Sequence, residues 1–343
     1  MAADKPTIDM VASLAKVSKT TISRYLNGRF EFMSDETRKR IQTVIEELDY
    51  RPNNLARGLK SNRSGLIGVL VADIGSPFSS ILVKGVGDTC KERGYQTIIA
   101  NTDNDPEKER EYIRSLIDNR VEGLIVNITG ENDDFLLELK DEGIPIVVAD
   151  RPMETLSLDT VTSNNAEMTY RTIQHLYEQG FERVAFITQE ISQVRTRYVR
   201  YHTFLKACCD LFGVDGEKWV HVIDPSDVGA LARGLQAFLN MDDGPAAAFA
   251  VNGVMLLSLV KAIRQLGLVM PDDLGVVGYD DWDWASLIPP GITTISQPSY
   301  NVGVQSALRL IQRIKDNRPK PKLIELPSEL IVRGSSVRNA VSK

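Results

Sequence analysis

From residue 66 onward the chain alternates uninterrupted apolar runs with amphipathic helical patterns, and it does so twice. The runs LIGVLV (66–71), TIIAN (97–101), GLIVNI (123–128) and PIVVAD (145–150) have the texture of strands covered on both faces. Helical patterns lie between them near 78–93, 106–119 and 132–142. A second series repeats the order and spacing: RVAFIT (183–188), WVHVI (219–223), AAAFAV (246–251) and LGVVGY (274–279), with helices near 164–179, 199–212, 228–240 and 253–266. Strands that bury both faces need helices on each side, and strand–helix–strand units run parallel. The pattern predicts two doubly wound α/β lobes with a ligand site at the carboxyl ends of their strands. A further helix over 301–316 and strands near 323–326 and 329–333 are expected to cross back between the lobes.

Residues 1–64 have a different texture. In TIDMVASLAKVSKTTISRYLNG (7–28), Ile8, Val11, Ala12, Leu14 and Ala15 recur at helical spacing, Val17 serves as a buried turn residue, and Ser18 is a good N-cap. The helix after it buries Ile22, Tyr25 and Leu26 and presents Lys19, Thr20, Thr21, Ser23 and Arg24. Short hydroxyls and cations on one helix face suit the major groove, where Arg forks onto guanine or phosphate. This is a helix-turn-helix pattern with the second helix as reader. The alternative is an ordinary αα-hairpin with a solvated polar face. Ser34-Asp35-Glu36-Thr37 opens a third helix whose Ile41, Val44, Ile45 and Leu48 would complete an all-α bundle. Asn53 to Ser61 then has about two turns of helical pattern, too short to be stable alone in water.

Charge divides along the same line. The formal net charge of −6 conceals a head with 12 Lys and Arg against 8 Asp and Glu over residues 1–64, and a body with 28 against 38. A basic head on an acidic body fits a protein that meets phosphate at one end only. The three cysteines, Cys90, Cys208 and Cys209, offer neither a disulfide framework nor metal-ligand spacing, and none of the three histidines sits in a zinc-binding pattern. No metal site or cofactor is expected. The N-terminus lacks a signal-type apolar run and no segment is apolar enough to span a membrane, so a reduced, cytoplasmic protein is expected.

The head, the short linker and the two lobes together resemble the LacI/GalR family of bacterial transcription factors, over about residues 6–335. The resemblance is carried by VSKTTISRYLNG, MSDETRKRI and LDYRPNNLARGLKSNRSGLIGVL in order, then SPF (76–78), VVADR (147–151), VVGYDD (276–281) and ITTISQP (292–298). It implies a head over 1–50, a hinge helix and linker over 51–64, and a two-lobed effector-binding and dimerisation domain over 65–335 with the periplasmic-binding-protein type I fold. The lobes would comprise about 65–161 plus 292–322, and about 162–290 plus 323–335. Lys19, Thr20, Ser23 and Arg24 would read or clamp the major groove, with Thr21 and Asn27 on phosphates. Asn53, Ala56 and Leu59 would belong to a hinge helix formed on DNA, Leu59 wedging into the minor groove at the centre of a near-palindromic operator. A homodimer joined through helices near 78–93 and 253–266 is implied, associated with the bacterial nucleoid.

For the effector, Asn252, Asp280 and Arg200 match positions at which the family contacts its ligand. Ser76, Phe78, Arg151, Arg195, Trp282, Trp284 and Gln297 are further candidates. Two positions depart from the pattern: Thr203 replaces the Gly of R-x-x-G-F, and Gly253 follows Asn252 where an Asp is usual. Either tryptophan could equally be core. Arg151, Arg195, Arg197 and Arg200 supply more positive charge than a neutral sugar requires, and Arg suits a carboxylate. The run GYDDWDWASLIPPGITTISQP also resembles a subgroup regulating ketodeoxygluconate, gluconate and hexuronate catabolism. The expected function is therefore a repressor induced by an acidic sugar, 2-keto-3-deoxygluconate above others. A neutral sugar, a nucleobase or a phosphocarrier protein are the other effectors for the same regulator. An enzyme is not expected: Asp280, Asp281 and Asp283 cluster, but no nucleophile–base set accompanies them, and Gly85-Val86-Gly87 lacks the third glycine of a dinucleotide fingerprint. A transport-type sugar-binding protein would not need the basic head.

Overall fold

The computed structural model describes residues 6–26, 28–50, 63–191, 194–316 and 320–338. The chain divides into two compact units, residues 1–64 and 65–343.

In the first unit, helices α1 (Ile8–Leu14), α2 (Lys19–Leu26) and α3 (Asp35–Glu47) enclose Val11, Ala12, Ala15, Ile22, Ile41, Val44 and Tyr50. Each helix starts on a hydroxyl. Thr7 accepts from Met10 N (3.3 Å), Ser18 from Thr21 N (3.1 Å) and Ser34 from Thr37 N (3.2 Å). The Arg40 side chain donates to Ala15 O (2.9 Å), tying α3 to the end of α1. Leu14, expected on the buried face, is 56% exposed. Six residues after Ile8, it is rotated about 120° from the centre of the stripe formed by Ile8, Val11, Ala12 and Ala15.

The second unit contains two six-stranded sheets. The first has the order β2-β1-β3-β4-β5-β11, from β1 (Leu66–Val71), β2 (Gln96–Asn101), β3 (Leu124–Val126), β4 (Ile146–Ala149), β5 (Asp159–Ser163) and β11 (Leu323–Leu326). Its crossover helices are α4 (Pro77–Glu92), α5 (Pro106–Asp118) and α6 (Asp133–Asp141). The second has the order β7-β6-β8-β9-β10-β12, from β6 (Arg183–Thr188), β7 (Val220–Val222), β8 (Ala246–Ala250), β9 (Gly275–Tyr279), β10 (Thr293–Ser296) and β12 (Glu329–Ile331). Helices α7 (Asn165–Glu178), α8 (Arg195–Ala207), α9 (Val228–Leu239), α10 (Gly253–Leu266) and the short α11 (Asp283–Leu287) belong to this lobe. Helix α12 (Ser299–Lys315) returns to the first lobe and lies along α4. Gly85 and Gly303 allow this close approach, because a Cβ on either would stand 2.2 Å and 2.1 Å from a backbone oxygen of the opposing helix. All pairings are parallel except β10 with β12.

The tail corrects the expected lobe boundaries. Strand 293–296 pairs with β9 and belongs to the second lobe, whereas strand 323–326 pairs with β5 and belongs to the first. Lobe membership follows hydrogen-bonded pairing, and the tail changes sheet twice. The chain thus passes between the lobes at three places, residues 163–165, 296–299 and 326–329. These strands of connection are laced together. Ser163 Oγ donates to Gln297 Oε1 (2.9 Å), Asn164 N to Leu326 O (3.1 Å), and Ser328 N to Asn164 Oδ1 (2.8 Å).

Candidate functional site

At the carboxyl ends of the two sheets, equivalent strands place equivalent residues. Asp150 follows β4 and Asp280 follows β9. Both take the left-handed backbone (φ 68° and 72°), which aspartate tolerates better than most residues, and each donates its N–H to the neighbouring strand, at Val161 O (2.7 Å) and Ile295 O (2.9 Å). One aspartate from each lobe is thereby turned out of its sheet toward the cleft.

Arg200, carried by α8, occupies the centre and is 4% exposed. Its guanidinium donates to Asn165 Oδ1 (2.8 Å), Val251 O (2.6 Å) and Gln297 Oε1 (3.0 Å), and lies 3.5 Å from the centre of the Tyr279 ring. Gln297 passes the network on, donating to Asp280 Oδ1 (2.7 Å), while Asp280 Oδ2 accepts from Gly253 N (2.8 Å). Asn252 caps α10 through Met255 N (2.9 Å) and donates to Gln189 Oε1 (2.7 Å). Arg200, Gln297 and Asp280 thus form one connected polar array, and Asn252 stands beside it, next in the chain to Val251 and Gly253, whose backbone groups bond Arg200 and Asp280.

Gly253 explains the departure from the usual Asn-Asp pair. A Cβ at that position would stand 2.6 to 2.9 Å from the Trp282 indole, so the ring occupies the space a side chain would need. Trp282 is half-buried over this glycine, with Trp284 at 6.3 Å in an edge arrangement. Trp284 packs against the hydrophobic core of the second lobe, which is the role its neighbours give it. Phe78 likewise packs on the first-lobe core, and Ser76 stands at the N-cap of α4 without a side-chain capping bond.

The arginines separate into different surroundings. Arg151, beside Asp150, donates through one terminal nitrogen to Asn104 Oδ1 (2.9 Å) and Ile128 O (3.1 Å). Arg197 donates to Glu190 O (2.8 Å). Arg195 stacks on Tyr198 (4.6 Å) within its own helix and has no bond to the array. Burial and then the positive charges of Arg151 and Arg200 lower Arg197 to about 10. Burial also lowers Arg151 and raises the Asp150 carboxyl. The Asp150–Arg151 attraction opposes both shifts, and Arg200 also pulls Asp150 down while Asp280 adds to its rise. Asp150 and Gln189 were not among the effector contacts expected from the sequence, although each directly follows a strand.

Next to the array is a cavity of about 490 Å³ between the lobes. Asn104, Thr129 and Glu131 line it from the first lobe, and Gln189, Arg197 and the 222–225 turn from the second. Behind it the fully buried Glu109 accepts from Thr129 N (2.8 Å) and Asn132 Nδ2 (2.9 Å), fixing the 129–132 loop. Among the described residues no group of His, Cys, Asp and Glu could hold a metal ion, and no helix is long and apolar enough to cross a membrane.

In the first unit, Lys19, Thr20, Ser23 and Arg24 are exposed on α2 and Thr21 is half-buried with its hydroxyl 2.9 Å from Ser18 Oγ. Lys19 pairs with Asp9 (2.5 Å), an exposed contact of small energetic weight. Arg24 lies 5.8 Å from the Phe32 ring. Asn27, Asn53, Ala56 and Leu59 lie outside the described residues.

A capped helix-turn-helix unit with a polar, cation-bearing second helix, joined to two parallel-sheet lobes around a polar cleft, defines a DNA-binding regulator that carries an effector-binding domain. Residues 7–53 match the model for bacterial regulatory proteins of the lacI family, and residues 173–336 match a periplasmic binding protein-like domain. The chain belongs to the lacI family. It is 41% identical to the HTH-type transcriptional regulator KdgR of Bacillus subtilis (strain 168) over 96% of this chain and 97% of that one. It is 37% identical to the regulator PtxS of Pseudomonas aeruginosa over 96% and 95%, and 32% identical to the repressor PurR of Aliivibrio salmonicida over 96% and 98%. Among solved structures, a lac repressor dimer bound to operator and the anti-inducer ONPF shares the fold, with a TM-score of 0.86 at 24% identity over 98% of this chain and 100% of that one.

Proposed function

We propose that this regulator is a homodimeric repressor of a near-palindromic operator, released when an acidic sugar, 2-keto-3-deoxygluconate in the first instance, binds between the lobes. The observation that carries the reading is the convergence of Arg151, Arg197 and Arg200 on one cleft that also offers Asp150, Asp280, Asn252 and Gln297. Carboxylates and amides suit sugar hydroxyls, and the surplus of arginine suits an acid group. Similarity to KdgR supports the same choice, and the operator-bound dimer among the structural neighbours supports the oligomeric state.

On this reading Lys19, Thr20, Ser23 and Arg24 contact the operator, with Thr21 and Asn27 on phosphates. Asn53, Ala56 and Leu59 supply the hinge contact, and the protein works beside DNA in a bacterial cytoplasm. Ser76, Phe78, Arg195 and Trp284 stand at the margin of the effector site or in neighbouring packing, leaving Trp282 to offer an aromatic face. The chemistry is binding, without turnover.

The relatives named PurR favour a nucleobase as the second reading. The test is isothermal calorimetry with 2-keto-3-deoxygluconate, gluconate, glucuronate, ribose and guanine, with fluorescence anisotropy on operator DNA selected from a random pool. Binding of a sugar acid that releases the DNA is expected. Binding of guanine or ribose with no response to any sugar acid would overturn the choice of effector.

A further inference from the structure

We propose that Arg151 and Arg197, one from each lobe, grip the effector's carboxylate between them, and that this clamp makes the site choose an acid over a neutral sugar. The inference rests on the sugar-acid reading given above and adds to it which arginines do the selecting.

Arg200, at the position where the family contacts its ligand, has little left to give. Its Nε and both terminal nitrogens already donate to Asn165, Val251 and Gln297, and its flat face is spent on Tyr279. Turning it toward a carboxylate would take its donors from Asn165 Oδ1, Val251 O and Gln297 Oε1 in a buried place. It is a scaffold arginine that positions Gln297 and, through it, Asp280.

The other two have donors to spare. A guanidinium carries five N–H groups. Arg197 uses one nitrogen, on Glu190 O, and Arg151 uses one, on Asn104 and Ile128 O; their remaining nitrogens have no partner among the described residues. Arg197 is the only cation lining the 490 Å³ cavity among the described residues, and Asn104, which fastens Arg151, lines the same cavity from the opposite lobe. The Arg151 charge is felt at Arg197 as repulsion. An anion placed between them would convert that repulsion into two charge-assisted contacts, one per lobe, whereas a neutral hydroxyl would leave it in place. Chain position follows the same logic. Arg151 sits directly after Asp150 at a strand end, and Arg197 lies three residues, about one helical turn, before the scaffold Arg200 on α8, so each lobe brings one arginine beside the polar residues of the cleft.

The experiment uses calorimetry on the full-length protein with gluconate, 2-keto-3-deoxygluconate and gluconamide, the last being gluconate with its charge removed. Arg197→Gln and Arg151→Gln are compared with Arg197→Lys, Arg151→Lys and the unsubstituted protein, each checked by circular dichroism and thermal melting. Each Gln variant is expected to lose about tenfold or more in acid affinity, hold its gluconamide affinity, and regain part of the loss as Lys. Unchanged acid preference in both Gln variants would overturn the clamp and leave the sugar-acid reading standing. Equal loss for acid and amide would also overturn it, making the two arginines part of the cleft wall only. Failure of the unsubstituted protein to bind either acid, with binding of a neutral sugar or a nucleobase, would overturn the sugar-acid reading and the clamp with it.

Discussion

Gly253 lies under the Trp282 indole and donates its N–H to Asp280, so packing and the polar array meet at one residue. Adding a methyl group there must push the ring or the α10 terminus away. Gly253→Ala is expected to cost about 1–3 kcal/mol in stability and to weaken effector binding in step, read by thermal melting and calorimetry. His221 gives a second prediction at this scale. Burial holds its imidazole below the ordinary 6.5, and its Nε2 is buried without a hydrogen-bond partner among the described residues. An unfolded chain therefore binds a proton at this site more readily than the folded one. Above pH 6.5 both forms are neutral and the residue has no effect; as pH falls below 6.5, stability declines until the native pKa is reached. His221→Leu is expected to reduce the fall in melting temperature between pH 7 and pH 5. Single residues were unevenly legible. Asn252 and Asp280 stood out because polar groups follow apolar strand runs, whereas Asp150 sat in an equivalent place and passed as the end of PIVVAD. Its counterpart relation to Asp280 exists only once the two sheets are superposed in the mind's eye, since no local pattern links residues 150 and 280.

Helix α12 is fastened to the first lobe by charge as well as by glycine-spaced contact. Asp159, at the start of β5, is fully buried and meets Arg309 (3.0 Å) and Arg313 from that helix and Lys322 N (2.7 Å) from the segment beyond it. Burial pushes its carboxyl up, but the hydrogen bonds from Arg313, Arg309 and Lys322 together outweigh that and hold it below 3.8. Its contribution is therefore present above pH 3.8 and is lost as pH falls through the native value. Asp159→Asn removes the buried carboxylate that Arg309 and Arg313 share and is expected to cost about 3–5 kcal/mol, seen as a lower denaturant midpoint for the effector-binding unit. This strand is also where element-level reading stopped. The strands with unbroken Val, Ile and Leu were visible, but DTVTS (159–163) and TTIS (293–296) offer no such apolar run and were given no strand. Both are buried because sheet partners and serine or threonine hydrogen bonds cover them, and that cover is tertiary. Helix α8 begins at Arg195 and not near 199, and the earlier start puts Arg195, Arg197 and Arg200 on one rigid element.

For the molecule as a whole, effector and DNA are expected to oppose one another by the same factor measured from either side, as linkage requires. A ratio of about 5–150 between operator affinities with and without saturating sugar acid is expected, and the effector should bind the operator complex more weakly by that factor. Unequal factors at equilibrium would exclude this coupling. Base reading by the head also predicts that Lys19→Gln weakens operator binding by about 1–3 kcal/mol and relaxes its base preference, read by anisotropy on single-base operator variants, without altering effector binding. The two-lobed plan was readable because a doubly repeated strand–helix rhythm leaves few alternatives; which lobe owns each tail strand was not, because strand pairing decides it and β11 skips back across the chain to β5.

The three laced connections between the lobes have a mechanical consequence. One connection would let the lobes swivel freely, whereas three running side by side act like the leaves of a door hinge and leave one easy motion, a swing about the line they share. Gln297 is itself in the second of the three connections along the chain and bonds both Arg200 and Asp280. A ligand that pulls on Asp280 or Gln297 therefore pushes next to the pivot, where a small displacement becomes a large sweep at the far rims. A short-range hydrogen-bond adjustment in the cleft is in this way geared up by leverage before it reaches the outer surface of either lobe.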